Sequence, residues 1–471
     1  MSGLFQTIEI GKRALLSQQI AMQTTGHNIA NVGTSGYTRQ RVMMQATNPT
    51  HMTVGSLGTG VHVTDVSHIR DLFLGEQFRE ENKSLGQWQY KSKIMGQIES
   101  LFNEPNDNTI SDLLHQFWSS WAELAKDAQG GNPRKAIITT TTQLINTFHE
   151  VAGQLEKLRE SIDRDLVNMT ADINRLASEI ARLNHQVQVR ELDGKKANDL
   201  RDARDVLIDE LSHLIDVNVY EQGNGGVIVF LGAMALVDGP RPVELKTVVV
   251  NKGGAVDHEL HLGNYSYPIK NYKGQLAGLM EARDDLIPHY IAQLDQLAEK
   301  LITEVNRVHS SGYTMDGETG INFFDPNFTT AASIRISADL LNEPAGIVAA
   351  AEYDPDDPDA FLNDNRIAIQ IEELRNQKVV ISHSTTLNDF YNGIVGELGV
   401  ETHEATSFTA NYEVLVNNIK NSRESVQGVS LDEEMANLIK YQHAYDAAAR
   451  VITAMDAALD TVINGMGIVG R

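Results

Sequence analysis

The two ends of this chain carry matching apolar seams. Leu431, Leu438, Tyr445, Ile452 and Leu459 recur every seven residues, with Tyr441, Ala448, Met455 and Val462 falling three places after members of that series. This is the spacing of a helix that packs along another helix. At the other end Ile8, Leu15, Met22 and Ile29 also recur every seven, with Leu4 and Ala21 beside them. Two such seams at opposite ends of a long chain predict that the termini pair with each other. That arrangement suits a subunit that polymerises through its ends.

Between the seams the period changes several times. Phe148, Leu155, Ile162, Met169, Leu176 and Leu183 repeat every seven residues, and Leu166, Ile173, Ile180 and Val187 fill the alternate positions. The spacing predicts one helix of roughly 40 residues, about 60 Å long. Gly194, Lys195 and Lys196 end it, and helical spacing resumes in Leu200, Leu207, Leu211 and Leu214. From Asp216 the period becomes two, in Val217 and Val219, then Val227 to Leu231, then Val248 to Val250. Ile287, Leu294, Leu301 and Val308 return to helix, as do Leu387, Ile394, Phe408, Leu415 and Ile419.

The fold class expected is therefore mainly α with a smaller β-rich domain: a long helical rod, a coiled-coil pair of N- and C-terminal helices, and an inserted β domain. The expected domains are residues 1–45 with 428–471 as the terminal coiled coil and 46–215 with 273–311 and 363–427 as the long-helix rod. Residues 216–272 with 312–362 are expected as a β-rich outer domain.

Charge and composition then remove whole classes of function. A net charge of -24 leaves no basic surface for phosphate backbones, so nucleic acid is not an expected partner. Apolar runs such as Val227 to Leu231 and Ile347 to Ala351 fall far short of the ~20 residues that cross a bilayer, so no membrane partner is expected. The first residues place polar side chains in every turn, unlike a cleaved secretory signal. With no cysteine there is no thiolate nucleophile and no zinc–thiolate site.

Candidate chemistry is thin. His258 and His261 lie three apart in a segment read as strand, where they point to opposite faces, against the i, i+4 helix spacing of a zinc protease. Gly55 to Gly60 lacks the Lys-Ser/Thr of a phosphate loop and reads as a turn. The acidic run Asp354 to Asp359 lacks the glycine and bidentate Glu of an ordered calcium loop and reads as a solvated loop. Asp316-Gly317-Glu318 reads as a turn. Phe117, Trp118, Trp121 and Leu124 share a helical face and read as packing. No catalytic residue, metal or cofactor is expected.

The sharpest local motif is Asn28-Ile29-Ala30-Asn31-Val32-Gly33-Thr34-Ser35-Gly36-Tyr37-Thr38-Arg39-Gln40. Physically it is a helix stop, with glycines free to adopt positive φ and short polar side chains to satisfy the exposed helix end. The whole string, with Asn28, Asn31, Gly36, Tyr37 and Arg39 as its marks, resembles the N-terminal signature of bacterial flagellar rod, hook and hook-associated proteins. Its Tyr37-Thr38-Arg39-Gln40 continuation resembles the hook-associated members, where rod and hook members more usually carry Gly-Phe-Lys. Leu200 to Leu211 and the Gly428-Val429-Ser430-Leu431-Asp432-Glu433-Glu434 stretch are similar to two further segments of that family. The resemblance covers residues 1–70, 140–315 and 385–471.

That resemblance implies a structural subunit that joins hook to filament, assembled at the hook tip after export by the flagellum's own type III apparatus. The implied location is extracellular, on the flagellum, reached without a cleaved signal peptide. The implied partners are other copies of the chain, the hook protein, a second junction protein and the flagellin side of the filament. A cytoplasmic export chaperone is implied at the C-terminal helix. The self-assembly residues expected are Leu4, Ile8, Leu15, Met22 and Ile29 at one end, with Leu431, Leu438, Tyr445, Ile452, Met455 and Leu459 at the other. Alternatives are a hook or distal rod protein, against which the 37–40 string and the long helix argue, or a hydrolase domain carried between flagellar-type ends.

Overall fold

A computed structural model describes residues 2–52, 55–102, 109–252, 255–264, 273–354, 361–380 and 384–465. The chain is mainly α with small antiparallel sheets, the class expected. The helices are α1 (Ser2–Ala30), α2 (Leu72–Phe102), α3 (Ile110–Lys126), α4 (Gly131–Arg190), α5 (Asn198–Leu214), α6 (Gln275–Glu281), α7 (Ile287–His309), α8 (Ala338–Asn342), α9 (Arg366–Glu373), α10 (Leu387–Gln427) and α11 (Leu431–Asp460). The residues divide into two compact units: 1–85, 169–274 and 412–471 form the first, and 86–168 with 275–411 form the second.

α4 runs for 60 residues, about 90 Å at 1.5 Å per residue, longer than the periodicity predicts. This longer helix includes a run of β-branched residues, Thr139 to Thr142, a residue type of lowered helix propensity. In the structure each of the four hydroxyls donates to the carbonyl four residues back, at 2.7–3.0 Å. The hydroxyls bond inside the helix and do not divert it.

In the first unit β1 (Gln40–Ala46) pairs with β4 (Val61–His68), and β2 (Thr50–Met52) pairs with β3 (Gly55–Leu57). β5 (Val217–Glu221), β6 (Val227–Leu231), β7 (Met234–Asp238) and β8 (Arg241–Pro242) form an antiparallel meander. β9 (Leu245–Lys252) and β10 (Ala255–Leu262) form a separate hairpin, so His258 and His261 do lie on a strand. Two asparagines ten residues apart on α4 seat these sheets. Asn184 donates to Val227 O at 2.6 Å and accepts from Val227 N at 3.0 Å. Asn174 does the same with Leu245, at 2.7 and 2.8 Å. Each amide thus stands in for a neighbouring strand.

The core of the second unit is aromatic. Phe117, Trp118 and Trp121 on α3 are fully buried; Phe117 meets Trp118 at a centroid distance of 4.8 Å and Phe323 and Phe324 at 6.1 and 6.4 Å, and Trp121 meets Phe323 at 5.4 Å. Trp118 Nε1 donates to Asn388 Oδ1. Burying each of these side chains contributes about 1.5–3 kcal/mol.

The expected outer β domain of 216–272 with 312–362 divides differently. Its first part lies in the first unit and its second part in the second unit. Among the described residues, 312–354 form isolated bridges and short helices with no ladder. The reason is that side chains take over the backbone pairing there: Asn306 both donates to and accepts from Phe324, at 2.9 and 2.8 Å. Thr314 Oγ1 accepts from Asp316 N and Glu318 N, which makes 314–318 a turn. Most of the acidic run, residues 355–359, lies outside the described residues.

Candidate functional site: the terminal helix pair and its polar joint

α1 and α11 pack along each other within the first unit. Asn28, near the end of α1, bonds Glu434, near the start of α11, whereas Gly11 lies against Ile452. The pair is therefore antiparallel. On α11 the residues turned inward are Glu434, Leu438, Tyr441, Tyr445, Ala448, Ile452, Met455, Leu459 and Val462, in alternating steps of four and three. Leu431, in the first turn, is 45% exposed and stands outside this line, because α1 has already ended opposite it.

The buried residues of α1 are Gly11, Ser17, Ala21, Thr25 and Asn28, small or polar throughout. A Cβ on Gly11 would sit 2.7 Å from Ile452 Cγ1, so the helices come close enough there to require glycine. Leu4, Ile8, Leu15, Met22 and Ile29 are half-buried. A second face of α1 meets the β1–β4 hairpin. Arg13 donates to Thr59 O, and Ser17 lies against Val61 O.

Where α1 stops, the signature string folds into a polar joint. Asn31 caps the helix, its Nδ2 donating to His27 O at 3.0 Å. Gly36 has φ 77°, and a Cβ there would strike Val206 on α5, so only glycine turns the chain here. The next residues then reach three segments. Asn28 is buried and uses both ends of its amide. Nδ2 donates to Gln40 O and to Glu434 Oε2, both at 2.9 Å. Oδ1 accepts from the Tyr37 hydroxyl at 2.7 Å and from Gln40 N at 3.0 Å. Arg39 donates to Glu434 Oε1 at 2.7 Å and Glu433 Oε2 at 2.6 Å. Its backbone N–H donates to Gln427 O. Thr38 donates through both backbone and hydroxyl to Asp202, which His68 also meets at 3.1 Å.

The electrostatics follow the burial. Burial, with Asp199, Asp202 and Glu434 nearby, pushes the Tyr37 hydroxyl above its ordinary value, so it stays a donor. Burial works against the charge of Arg39, but Glu433 and Glu434 hold its pKa above the usual value.

α5 continues the joint as a ladder of ions. Asp202, Asp205 and Asp209 share one face. Asp205 pairs with Arg70 and, at 3.6 Å, with Arg79; Asp209 pairs with Arg79 at 2.7 Å and with Arg423 at 2.8 Å. Burial opposes the Arg79 charge, and Asp209 with Asp205 raises its pKa above the ordinary value. On another face Arg201 bonds Glu191 and Glu221. Fully buried Arg204 bonds Asn184 Oδ1 and Gly225 O.

The three stretches singled out in the sequence thus meet in one place. Asn28 to Gln40, Leu200 to Leu211 and Gly428 to Glu434 are the parts of this joint. Its polar core was not foreseen as a site: Thr38, His68, Asp202 and Glu434 hold it together. A signal for Glu434 existed. The series Val462, Met455, Ala448 and Tyr441, extended back by one heptad, lands on a carboxylate.

The family described as "Flagellar basal body rod FlgEFG protein C-terminal" matches residues 422–465, and that described as "Flagellar hook-associated protein FlgK helical domain" matches residues 95–324. The chain is 32% identical to flagellar hook-associated protein 1 of Bacillus subtilis, over 100% of both chains. It is 26% identical to the protein of that name from Salmonella typhimurium, over 96% of this chain and 98% of that one. The fold resembles the solved flagellar hook junction protein FlgK from Burkholderia pseudomallei, with TM-score 0.65 and 16% identity, over 74% of this chain and all of that one. The chain belongs to the flagellar hook-associated protein 1 family.

Proposed function

We propose that the chain is a structural subunit of the bacterial flagellum that joins hook to filament. One observation carries this reading. Both ends of the chain fold into a single helix pair, and the joint that holds the pair is built from the three stretches that resemble the flagellar family. The joint has the chemistry of a structural device. Its acids and cations bond one another, and the work they do is to fix elements in place.

The subunit leaves the cell through the flagellar export apparatus, and it assembles at the hook tip with other copies of itself, against the hook on one side and the filament side on the other. α1 and α11 face neighbouring subunits in that assembly, and α11 is the segment an export chaperone holds beforehand. No catalytic step is assigned to it.

A strain lacking the protein tests this directly. It is expected to make hooks and to shed unpolymerised flagellin into the medium, as scored by electron microscopy and by immunoblot of the supernatant. Normal filaments on such cells would defeat the junction role.

A further inference from the structure

The α1–α11 seam is poor in the features that make a helix pair choose one register. α1 meets α11 at Gly11, which lies against Ile452, and at Asn28, which bonds Glu434, with small buried Ala21 and Thr25 between them. α11 offers a regular heptad that any similar helix could accept, including the same helix after a seven-residue slip or the helix of a second copy. Glu434 breaks that regularity, since it occupies a seam position and is only 2% exposed.

A buried carboxylate in a seam is unfavourable unless its partners are fixed. Here they are: Asn28 from the seam of α1 and Arg39 from the turn after it. All four hydrogen-bonding positions of the Asn28 amide are filled in this one alignment. Slide α11 by one heptad and Glu434 loses both partners, while Tyr441 faces the amide.

We propose that the Asn28–Glu434–Arg39 clasp is the specificity determinant of the helix pair: it sets the register of α11 on α1 and restricts α11 to the α1 of its own chain. A single polar seam residue fixing register and partner is an established use of such groups in coiled coils. The proposal rests on the junction reading only in giving that choice a purpose, since subunits crowded into an assembly must not exchange helices.

The chain contains no cysteine, which makes disulfide trapping clean. In full-length protein, Gly11→Cys with Ile452→Cys traps the observed register, and Gly11→Cys with Leu459→Cys traps a slip of one heptad. With the native clasp, oxidation of the purified protein is expected to give the intramolecular 11–452 bond alone. With the clasp made apolar by Asn28→Leu, Arg39→Met and Glu434→Leu, the ratio of observed to slipped bonds is expected to fall at least about tenfold. Disulfide-linked dimers should appear as protein concentration rises. Glu434→Gln, which keeps the shape of the clasp, should fall between; it decides the matter if circular dichroism shows that the apolar variant has lost the terminal helices. A ratio unchanged from the native clasp in the folded variants, with no dimers, would overturn the proposal. The readout uses isolated protein, so it stands or falls apart from the deletion-strain result.

Discussion

His309 shows how one side chain can tie stability to pH. It is fully buried at the end of α7, with Nδ1 donating to Ile321 O at 2.7 Å and Nε2 accepting from Val348 N at 3.0 Å. The bond from Val348 requires the neutral ring, since a protonated Nε2 cannot accept. Burial lowers its pKa from 6.5 to about 4. Above pH 6.5 the ring is neutral whether folded or not, and its contribution is present in full. As the pH falls below 6.5 the unfolded chain takes up a proton that the folded chain refuses, so stability declines by roughly 1.4 kcal/mol per pH unit until about pH 4. Trp88, Trp118 and Trp121 are the three tryptophans of the chain, and all lie in the second unit, so their fluorescence reports its unfolding. Denaturant titrations at pH 7.5 and pH 5 should show that decline. His309→Gln, less stable at pH 7.5, should show about 2 kcal/mol less of it. Equal slopes in the two proteins would mean that other groups carry the pH dependence.

At the scale of elements, the α1–α11 pair depends on an absence of side chain. Gly11→Ala gains up to about 1 kcal/mol of helix propensity, but overpacking against Ile452 costs about 1–3 kcal/mol. The substitution is expected to leave the pair no more stable, or less. In an Ile452→Ala background the obstruction is gone, and Gly11→Ala should then stabilise α1. Amide exchange across α1 in the four proteins of that cycle should reveal an interaction of at least roughly 1 kcal/mol. Additive effects would show that the two positions do not meet. The same pair shows what a sequence can and cannot tell. The α11 heptad was legible because its seam is apolar. The buried small residues of α1 were not, since Gly11, Ala21 and Thr25 bury little apolar surface and leave no periodic mark. α4 was underestimated because intrahelical bonds of four threonine hydroxyls cannot be seen in a propensity. Residues 312–362 read as β-rich, yet Phe324 makes only an isolated bridge with Ile336, and its own N–H and carbonyl bond the amide of Asn306.

At the scale of the whole molecule, the proposed function uses the seam of α11 twice, first as the surface held before assembly and then as the inner face of the terminal pair. Leu438→Asp with Ile452→Asp puts two charges on that line and removes about 1.5–3 kcal/mol of burial at each position. The double variant should bind an export chaperone more weakly by calorimetry and fail to restore motility, while tryptophan fluorescence shows the second unit still folded. Normal binding together with normal motility would end the proposal that this seam is used twice. The joint has one more consequence, in time rather than in space. Asn28 and Glu434 are 406 residues apart. At roughly 5–20 residues per second a ribosome needs about 20–80 s to travel from one to the other, so α1 is made early and its helical partner late. For that interval the first helix has the Gly11 face bare and the amide of Asn28 without its carboxylate. The newborn chain therefore cannot close this pair until α11 has been made, however early the elements between them form.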